Sequence, residues 1–358
     1  MKYFIILLMF LKLSCFCFSQ TEVDLTKLFS FEWEEEEKRD WSFLKEVLKD
    51  KKIVGLGESL HGVKEYSEVK LELIKYLHEE MGFNVLAMES EMGSTILSGW
   101  YRELFSNTLL LEKAFYPVWH TKTNLKLVNY LKQHPKLKII GFDTPYYFSI
   151  DTFLHQEITA TVSRNEIEKR TDFKKLTAYF TDLKQKYTEK ELLKKRDSLM
   201  AKNFNWLISN FHQNEKVIIW AANDHLSKVR LNEFSFMGEI LAKEHGNEFY
   251  ALGLFHSLGN PTHFYRDYFY ENKYELLSES SLEFKFLKLK ADNLFIDFEN
   301  LKRTKKTAWL NESVNQIIDI KRPMATINLS QSFDGLIWFK EVTHPSYVIE
   351  KEELYLKN

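Results

Sequence analysis

Apolar residues along the chain follow two alternating patterns: short continuous runs, and longer stretches with apolar positions every three or four residues. The first run, 52–57, ends in glycine, and the helical spacing of 63–81 follows it. Strands that alternate with helices in this way predict an α/β fold with a mostly parallel central sheet flanked by helices. The predicted strands are 52–57, 84–88, 137–142, 216–221, 249–254, 294–298 and 335–339; the predicted helices are 63–81, 94–104, 125–131 and 233–243, after a polar lead-in with a helix within 20–50.

The segment from about 148 to 214 interrupts this alternation. It contains no glycine or proline, it is rich in lysine, glutamate and aspartate, and its apolar residues recur every three or four positions. This pattern predicts a helical insertion of two or three long helices packed over the sheet. The charged composition favours a solvated flank, and a lid over a site is the alternative interpretation.

The first 19 residues have the layout of a secretory signal peptide. A basic start at Lys2 precedes an apolar run over 3–11, and small residues at Cys17 and Ser19 follow. The run is shorter than the ~20 residues that a membrane-spanning helix needs. The sequence therefore predicts cleavage after Ser19, export to the periplasm or the medium, one domain over 20–358, and no membrane contact after cleavage.

Removing this leader changes the chemistry available to the protein. Both cysteines, Cys15 and Cys17, lie in it, so the mature chain is expected to have no disulfide, thiol nucleophile or cysteine-bound zinc. Loss of Lys2 and Lys12 moves the net charge from −2 to −4. An acidic protein lacks the surplus of basic residues that neutralises phosphates, so no nucleic-acid partner is expected.

Polar side chains stand directly after four of the predicted strands. In parallel sheets, ligands bind outside the carboxyl ends of the strands, so these side chains are expected to converge on one edge. Structural explanations exist for some of them: Asp143 precedes a Thr-Pro turn, and Glu89 could pair with Lys70 or Arg102. Their recurrence at four strand ends favours a site. The candidates are Glu58, His61, Glu89, Asp143, Asn223, Asp224 and His225, and Ser59 follows Glu58 in the first of these segments.

The nucleophile expected at this edge is a water molecule. The sequence has no G-x-S-x-G nucleophile elbow and no H-E-x-x-H zinc motif. A histidine with a near-neutral pKa can activate water when a carboxylate fixes its tautomer. His61 with Glu58 or Glu89 is the leading pair, while His225 with Asn223 could hold a substrate carbonyl.

Two other sites fit parts of the same pattern. Glu58, His61, Glu89 and His225 offer the ligand types of a zinc or manganese centre, which could activate water itself. The glycines of 55–57 imitate a dinucleotide-binding turn, but Leu60 occupies the third glycine position and Glu58 would repel a pyrophosphate. The metal site stays open as an alternative; a dinucleotide site is not favoured.

The same residues carry a resemblance to the erythromycin esterase family. The run Gly57-Glu58-Ser59-Leu60-His61-Gly62 resembles the family's G-E-x-x-H-G signature, and 220–225 resembles W-A-H-N-x-H with Ala222 in place of the first histidine. Further similar segments, in the family's order, are Gly82-Phe83 with Ala87-Met88-Glu89, Val118-Trp119, Gly141-Phe142-Asp143, and Phe333-Asp334-Gly335 through Glu341-Val342-Thr343. The similarity spans about 50–345.

The resemblance implies a hydrolase that opens an ester or lactone of a small molecule with histidine-activated water and no required metal, with a link to macrolide response. Ala222 argues against macrolide hydrolysis in particular, because it replaces a histidine of the motif. Loss of one polar group at a transition state can lower the rate by about 10²–10³-fold. A small-molecule-binding protein that has lost its chemistry is the non-enzymatic alternative. By position, the implied catalytic residues are His61, Glu58, Glu89 and His225, and the implied substrate-binding residues are Lys70, Asp143 and Asn223.

Overall fold

The apolar runs form the strands of a central sheet. The computed structural model describes residues 28–30, 39–144, 164–230, 235–263, 268–269, 277–289, 291–301, 307–316 and 325–348, so the predicted signal peptide lies outside the described residues. The described strands are β1 (Leu28–Ser30), β2 (Ile53–Leu56), β3 (Phe83–Glu91), β4 (Lys138–Asp143), β5 (Lys216–Trp220), β6 (Phe249–Gly259), β7 (Thr262–His263), β8 (Tyr268–Phe269), β9 (Asn293–Asp297), β10 (Ser313–Gln316), β11 (Ala325–Asn328) and β12 (Gly335–Val342).

Eight of these strands form one sheet in the order β1-β9-β12-β6-β2-β5-β3-β4. The six strands from β12 to β4 are parallel, while β9 pairs antiparallel with both β12 and β1. Two small antiparallel pairs, β7–β8 and β10–β11, lie outside this sheet. The prediction of a mostly parallel central sheet is therefore confirmed, and all seven predicted strands are present.

Helices cover both faces of the sheet. The described helices are α1 (Leu44–Val47), α2 (Lys64–Met81), α3 (Met92–Trp100), α4 (Asn107–Ala114), α5 (Lys122–Gln133), α6 (Arg164–Lys169), α7 (Thr171–Lys186), α8 (Glu189–Lys194), α9 (Arg196–Phe211), α10 (Asn223–Leu226), α11 (Met237–His245), α12 (Leu282–Leu287) and α13 (Leu329–Ser332). Alternate strand residues face opposite layers. Leu56 and Leu86 pack with Tyr66 on one face, and Val217 packs with Phe204 on the other.

Helix boundaries differ from the sequence prediction where side chains cap the ends of helices. Helix α3 begins at Met92, before the predicted 94, because the Glu91 carboxylate accepts the backbone N–H of Ser94. The predicted end of α2 is confirmed: Gly82 adopts φ +73°, a left-handed conformation that favours glycine. Helix α4, which the sequence reading missed, is capped by Ser106. None of the described helices is long and apolar enough to cross a membrane.

The described part of the predicted insertion, residues 164–214, is helical as predicted and contains four helices. Two of them, α7 and α9, have 16 residues each. Helix α9 packs against β4 and α11 through buried residues such as Leu199 and Phe204. This helix therefore covers the edge of the sheet where Asp143 lies.

Backbone contacts hold the loop between β2 and α2 and explain the two glycines that flank it. A Cβ at Gly57 would lie 2.1 Å from Oδ1 of Asn223, and a Cβ at Gly62 would lie 1.8 Å from the carbonyl oxygen of Thr262. Thr262 donates its N–H to the Gly62 carbonyl at 2.9 Å. Only glycine permits these approaches, so both positions fix the loop that carries Glu58 and His61.

We expect Gly62→Ala to destabilise the protein by about 1–3 kcal/mol, because the added methyl group must displace the Thr262 backbone. Chemical denaturation measures the change. Gly82→Ala is the control: no atom lies within 4 Å of the new Cβ, and the backbone is in the left-handed region at φ +73°. It should cost only the left-handed strain of about 1–2 kcal/mol. A Gly62→Ala variant as stable as the wild type would contradict the steric explanation.

Candidate active site

The polar residues that follow the strands do lie together, because their strands β2, β5, β3 and β4 are neighbours in the sheet. Glu58 follows β2, Asp143 ends β4, and His225 lies in the helix after β5. The β3–β4 register shifts between Met88 and Glu91, and this irregularity encloses Glu89. Bulges of this kind redirect side chains at the edges of sheets.

Glu58 is the centre of the first of two ionic clusters. Its carboxylate is buried, and its Oε1 accepts hydrogen bonds from Nδ1 of His61 at 2.6 Å and from the Trp119 indole at 2.8 Å. Its Oε2 accepts from Nζ of Lys70 at 2.5 Å. Burial alone would raise the pKa of Glu58, but the Lys70 charge and the His61 hydrogen bond hold it below its ordinary value. Glu58 is therefore a carboxylate at neutral pH.

His61 lies between this carboxylate and solvent. Its side chain is 34% exposed, and its ring meets Trp119 edge-on with centroids 5.3 Å apart. Because Nδ1 faces Glu58, Nε2 is the nitrogen left to act on a ligand. Burial lowers the pKa of His61, but the hydrogen bond and charge of Glu58, with the charge of Glu89, raise it above its ordinary value near 6.5. The ring is therefore a stronger base than a free histidine.

Lys70 is enclosed at the back of this cluster. Its side chain is fully buried, and its ammonium lies 4.4 Å from the centroid of the Trp220 ring. Burial lowers the pKa of Lys70 to about 8, although the Glu58 carboxylate favours the charged form. A buried lysine in this position neutralises Glu58.

Glu89 and Asp143 form the second cluster around Arg196, a residue of α9. The guanidinium donates to both Asp143 oxygens, from Nε at 3.0 and 3.2 Å and from a terminal nitrogen at 2.5 Å. The same terminal nitrogen donates to Glu89 at 2.9 Å. Tyr116 adds a hydrogen bond to Asp143 at 3.0 Å. Arg196, which the sequence reading missed, thus bridges two of the predicted strand ends.

His225 joins the same cluster through both ring nitrogens. Nδ1 lies 2.6 Å from Asp197, and Nε2 lies 3.2 Å from Glu89 and 3.0 Å from the Arg196 guanidinium. Burial lowers the pKa of His225, but the charges of Glu89 and Asp197 outweigh this effect and raise it to about 10. His225 is therefore protonated at neutral pH. The carboxyl of Glu89 has a pKa well below its usual range, because His225 and Arg196 overcome the effect of burial.

The backbone of 222–223 connects the two clusters. Ala222 donates its N–H to Oε2 of Glu89 at 2.8 Å, and Asn223 donates its N–H to the Glu58 carbonyl at 2.8 Å. The Asn223 amide itself is buried and bonds to the Leu254 carbonyl at 2.9 Å and the Leu254 N–H at 3.3 Å. This amide ties α10 to β6, so its predicted contact with substrate lacks support from the geometry.

The structural explanation that the sequence offered for Glu89 is replaced. Glu89 pairs with Arg196 and His225 rather than with Lys70 or Arg102. Arg102 instead donates to the carbonyl oxygens of Leu137 and Pro135, at 2.8 and 2.7 Å. The sequence reading also gave no role to Asp197 or to the Trp119 indole. The only signal for Trp119 is its place in the Val118-Trp119 segment, and no pattern in the lysine-rich helices singles out Arg196.

The donor set does not fit the metal centre considered above. Each carboxylate is hydrogen-bonded to a cation, Glu58 to Lys70 and Glu89 to Arg196, so its charge is already balanced by a protein side chain. Both nitrogens of His225 are also engaged. Within the ranges that the structure describes, no group of three His, Cys, Asp or Glu side chains could hold a metal ion.

Comparisons with known proteins show similarity to the erythromycin esterase family. The profile of the erythromycin esterase family matches residues 171–342. The Bacillus subtilis protein YbfO, provisionally described as a hydrolase, is 25% identical over 87% of this chain and 88% of its own. Erythromycin esterase type I of Escherichia coli is 30% identical over 30% of this chain and 27% of its own. A mutant of the erythromycin esterase EreC, solved in an open conformation, shares the fold with a TM-score of 0.56 and 17% identity, over 87% of this chain and 95% of that one.

We expect the His225 cluster to make stability depend on pH. With a folded pKa of about 10 and an unfolded pKa near 6.5, His225 contributes stability that is complete below pH 6.5 and is lost as the pH rises towards 10. At pH 6, the free energy of unfolding of the wild type should therefore exceed that of His225→Gln. This difference should be smaller by about 2–4 kcal/mol at pH 10. Denaturation at both pH values measures it. His212→Gln is the control, since burial lowers the pKa of His212; an equal difference at both pH values for His225→Gln would contradict the assignment.

Proposed function

Because this chain is an erythromycin esterase-like hydrolase, we propose that it cleaves an ester or lactone bond of a small molecule with a water molecule activated by His61. The observation that carries the proposal is the pairing of His61 Nδ1 with the buried Glu58 carboxylate at 2.6 Å, on a ring that is one-third exposed. This pairing fixes the tautomer with a proton on Nδ1 and a lone pair on Nε2. A lone pair that faces solvent is what a general base requires.

The reaction needs one proton acceptor and returns the proton at its end. Nε2 of His61 takes a proton from water as the oxygen attacks the carbonyl carbon, which gives a tetrahedral intermediate. When the intermediate collapses, the C–O bond to the alcohol breaks, and the leaving oxygen takes the proton from His61. The carboxylate of Glu58 stabilises the imidazolium between these steps, as its hydrogen bond to Nδ1 and its charge both favour that form.

The names of the relatives support the proposed substrate class. The name of the Escherichia coli relative puts macrolide lactones among the candidate substrates, and a role in antibiotic response is part of the proposal. The leader over 1–19 supports export. Action outside the cytoplasm would suit an enzyme that meets small molecules before they enter the cell.

We expect His61→Asn to lower kcat/KM for p-nitrophenyl acetate or an added lactone by about 10²–10⁴-fold, because the general base is lost. Initial rates on the folded variant measure this effect. His212→Asn, at the far end of α9, is the control and should keep wild-type rates. A His61→Asn variant with unchanged turnover would rule out the mechanism.

The pH profile tests the Glu58 pairing. Because the base must be neutral, wild-type kcat/KM should rise with pH through a midpoint above 6.5. Glu58→Gln removes the charge that raises the pKa of His61 and leaves the Lys70 cation nearby, so the midpoint should move down by about one pH unit or more. A midpoint that stays in place would show that Glu58 does not control this base.

A binding protein without chemistry is the second candidate, and Ala222 is the observation that favours it. This residue is partly exposed beside Glu89 and stands at the first histidine position of the W-A-H-N-x-H motif that 220–225 resembles. If the scaffold has lost catalysis, Ala222→His should raise lactone turnover by about 10²-fold or more. The opposite outcome is that Ala222→His gives no gain and that His61→Asn abolishes a slow turnover by the wild type. This outcome would favour an active enzyme with another substrate. Ala222→Ser is the matched control for a polar group of the wrong shape.

A further inference from the structure

A second chain of hydrogen bonds begins at Ser59 and runs away from Glu58. The Ser59 hydroxyl lies 2.9 Å from the Tyr66 hydroxyl, which lies 2.7 Å from Nδ1 of His256. Tyr66 is fully buried in α2, whereas Ser59 and His256 are partly exposed. Strand β6 continues past the end of β2, so His256 lies at the same edge of the sheet as the loop that carries Ser59 and His61.

All three members of this chain are neutral at physiological pH. Burial lowers the pKa of His256 to about 4 and raises that of Tyr66 well above 10. The hydrogen bonds can therefore run in either of two directions. In the first direction, Nδ1 of His256 carries the proton and donates to Tyr66, and Tyr66 donates to Ser59. The hydroxyl proton of Ser59 then points away from Tyr66 and can be donated to a ligand. In the opposite direction, Ser59 donates to Tyr66 and has no proton to offer a ligand.

The first direction supplies what the two ionic clusters lack. Ester hydrolysis develops negative charge on the carbonyl oxygen, and a hydrogen-bond donor aimed at that oxygen stabilises it. The strong donors in the clusters already serve carboxylates: Lys70 and Trp119 bind Glu58, and Arg196 binds Glu89 and Asp143. Ser59 lies two residues before the base and is not used by either cluster.

We propose that Ser59 is a catalytic residue whose hydroxyl donates a hydrogen bond to the substrate carbonyl oxygen, and that Tyr66 and His256 are positioning residues that hold this hydroxyl in the donor direction. The inference rests on the proposed esterase function. It adds a hydrogen-bond donor to the base and its carboxylate partners. No proton leaves the chain of hydrogen bonds during the reaction.

The tautomer of His256 tests the direction without any substrate. Nitrogen-15 NMR of the full chain, with His256 assigned by comparison with His256→Gln, should find the proton on Nδ1 at pH 7. In Tyr66→Phe this preference should be lost, because the acceptor of that proton is gone. A wild-type His256 protonated on Nε2 alone would overturn the proposal, since Tyr66 would then have to donate to His256.

Kinetics with p-nitrophenyl acetate test the role. We expect Ser59→Ala to lower kcat by about 10–10³-fold with KM changed less than threefold, and Ser59→Thr to restore most of the loss. Tyr66→Phe should lower kcat in the same way, and the double variant should be no slower than Ser59→Ala, because both remove one donor. Tyr76→Phe, on the same helix, is the matched control and should leave kcat unchanged.

These outcomes separate this inference from the proposed function. If His61→Asn abolishes turnover and Ser59→Ala does not slow it, the esterase proposal stands and the Ser59 donor is wrong. If His61→Asn has no effect, the esterase mechanism fails whatever Ser59 does. Additive losses in the double variant would give Tyr66 a purely structural role and overturn its part in the proposal.

Discussion

The buried carboxylate of Glu58 is the constraint on which the site depends. A charge removed from water costs several kcal/mol unless partners replace its hydration, and breaking a buried pair typically costs about 3–5 kcal/mol. Here the partners come from separate parts of the chain: Lys70 from α2, Trp119 from the 3₁₀ turn before α5, and His61 from the loop between β2 and α2. Satisfying one carboxylate therefore fixes the relative positions of these elements. The orientation of the His61 ring is a consequence of that arrangement.

The second cluster gives the helical insertion a part in the site. Two consecutive residues at the start of α9 reach separate groups: Arg196 binds Glu89 and Asp143, and Asp197 binds His225 and the N–H of Met237. Helix α9 thus joins the ends of β3, β4 and β5 to α11. The composition of this helix is typical of a solvated flank. Its first turn nevertheless neutralises half of the carboxylates at the sheet edge.

The sheet and the convergence of its strand ends could be predicted from the sequence. Apolar runs are a local pattern, and ligand sites in parallel sheets lie at the carboxyl ends of the strands. The sequence could not assign partners. Arg196 stands among many charged residues of a helical segment, and its role depends on a long-range contact that no spacing encodes. The same holds for Asn223: a polar residue after a strand can face a ligand or a backbone, and here Leu254 takes the amide. The hydrogen bond of the Trp119 indole was not predicted, because an aromatic residue is usually interpreted as part of the hydrophobic core.

The balance of charge at the sheet edge connects the two clusters to the chemistry. With His61 neutral, the four carboxylates exceed the cations by one charge, and two of these carboxylates, Glu58 and Glu89, raise the pKa of His61. When His61 accepts a proton, the edge becomes neutral as the substrate oxygen becomes negative. The same excess disfavours a substrate that brings its own negative charge, so an uncharged or cationic ester suits the site better than an anionic one. The residues counted are Glu58, Glu89, Asp143 and Asp197 against Lys70, Arg196 and His225.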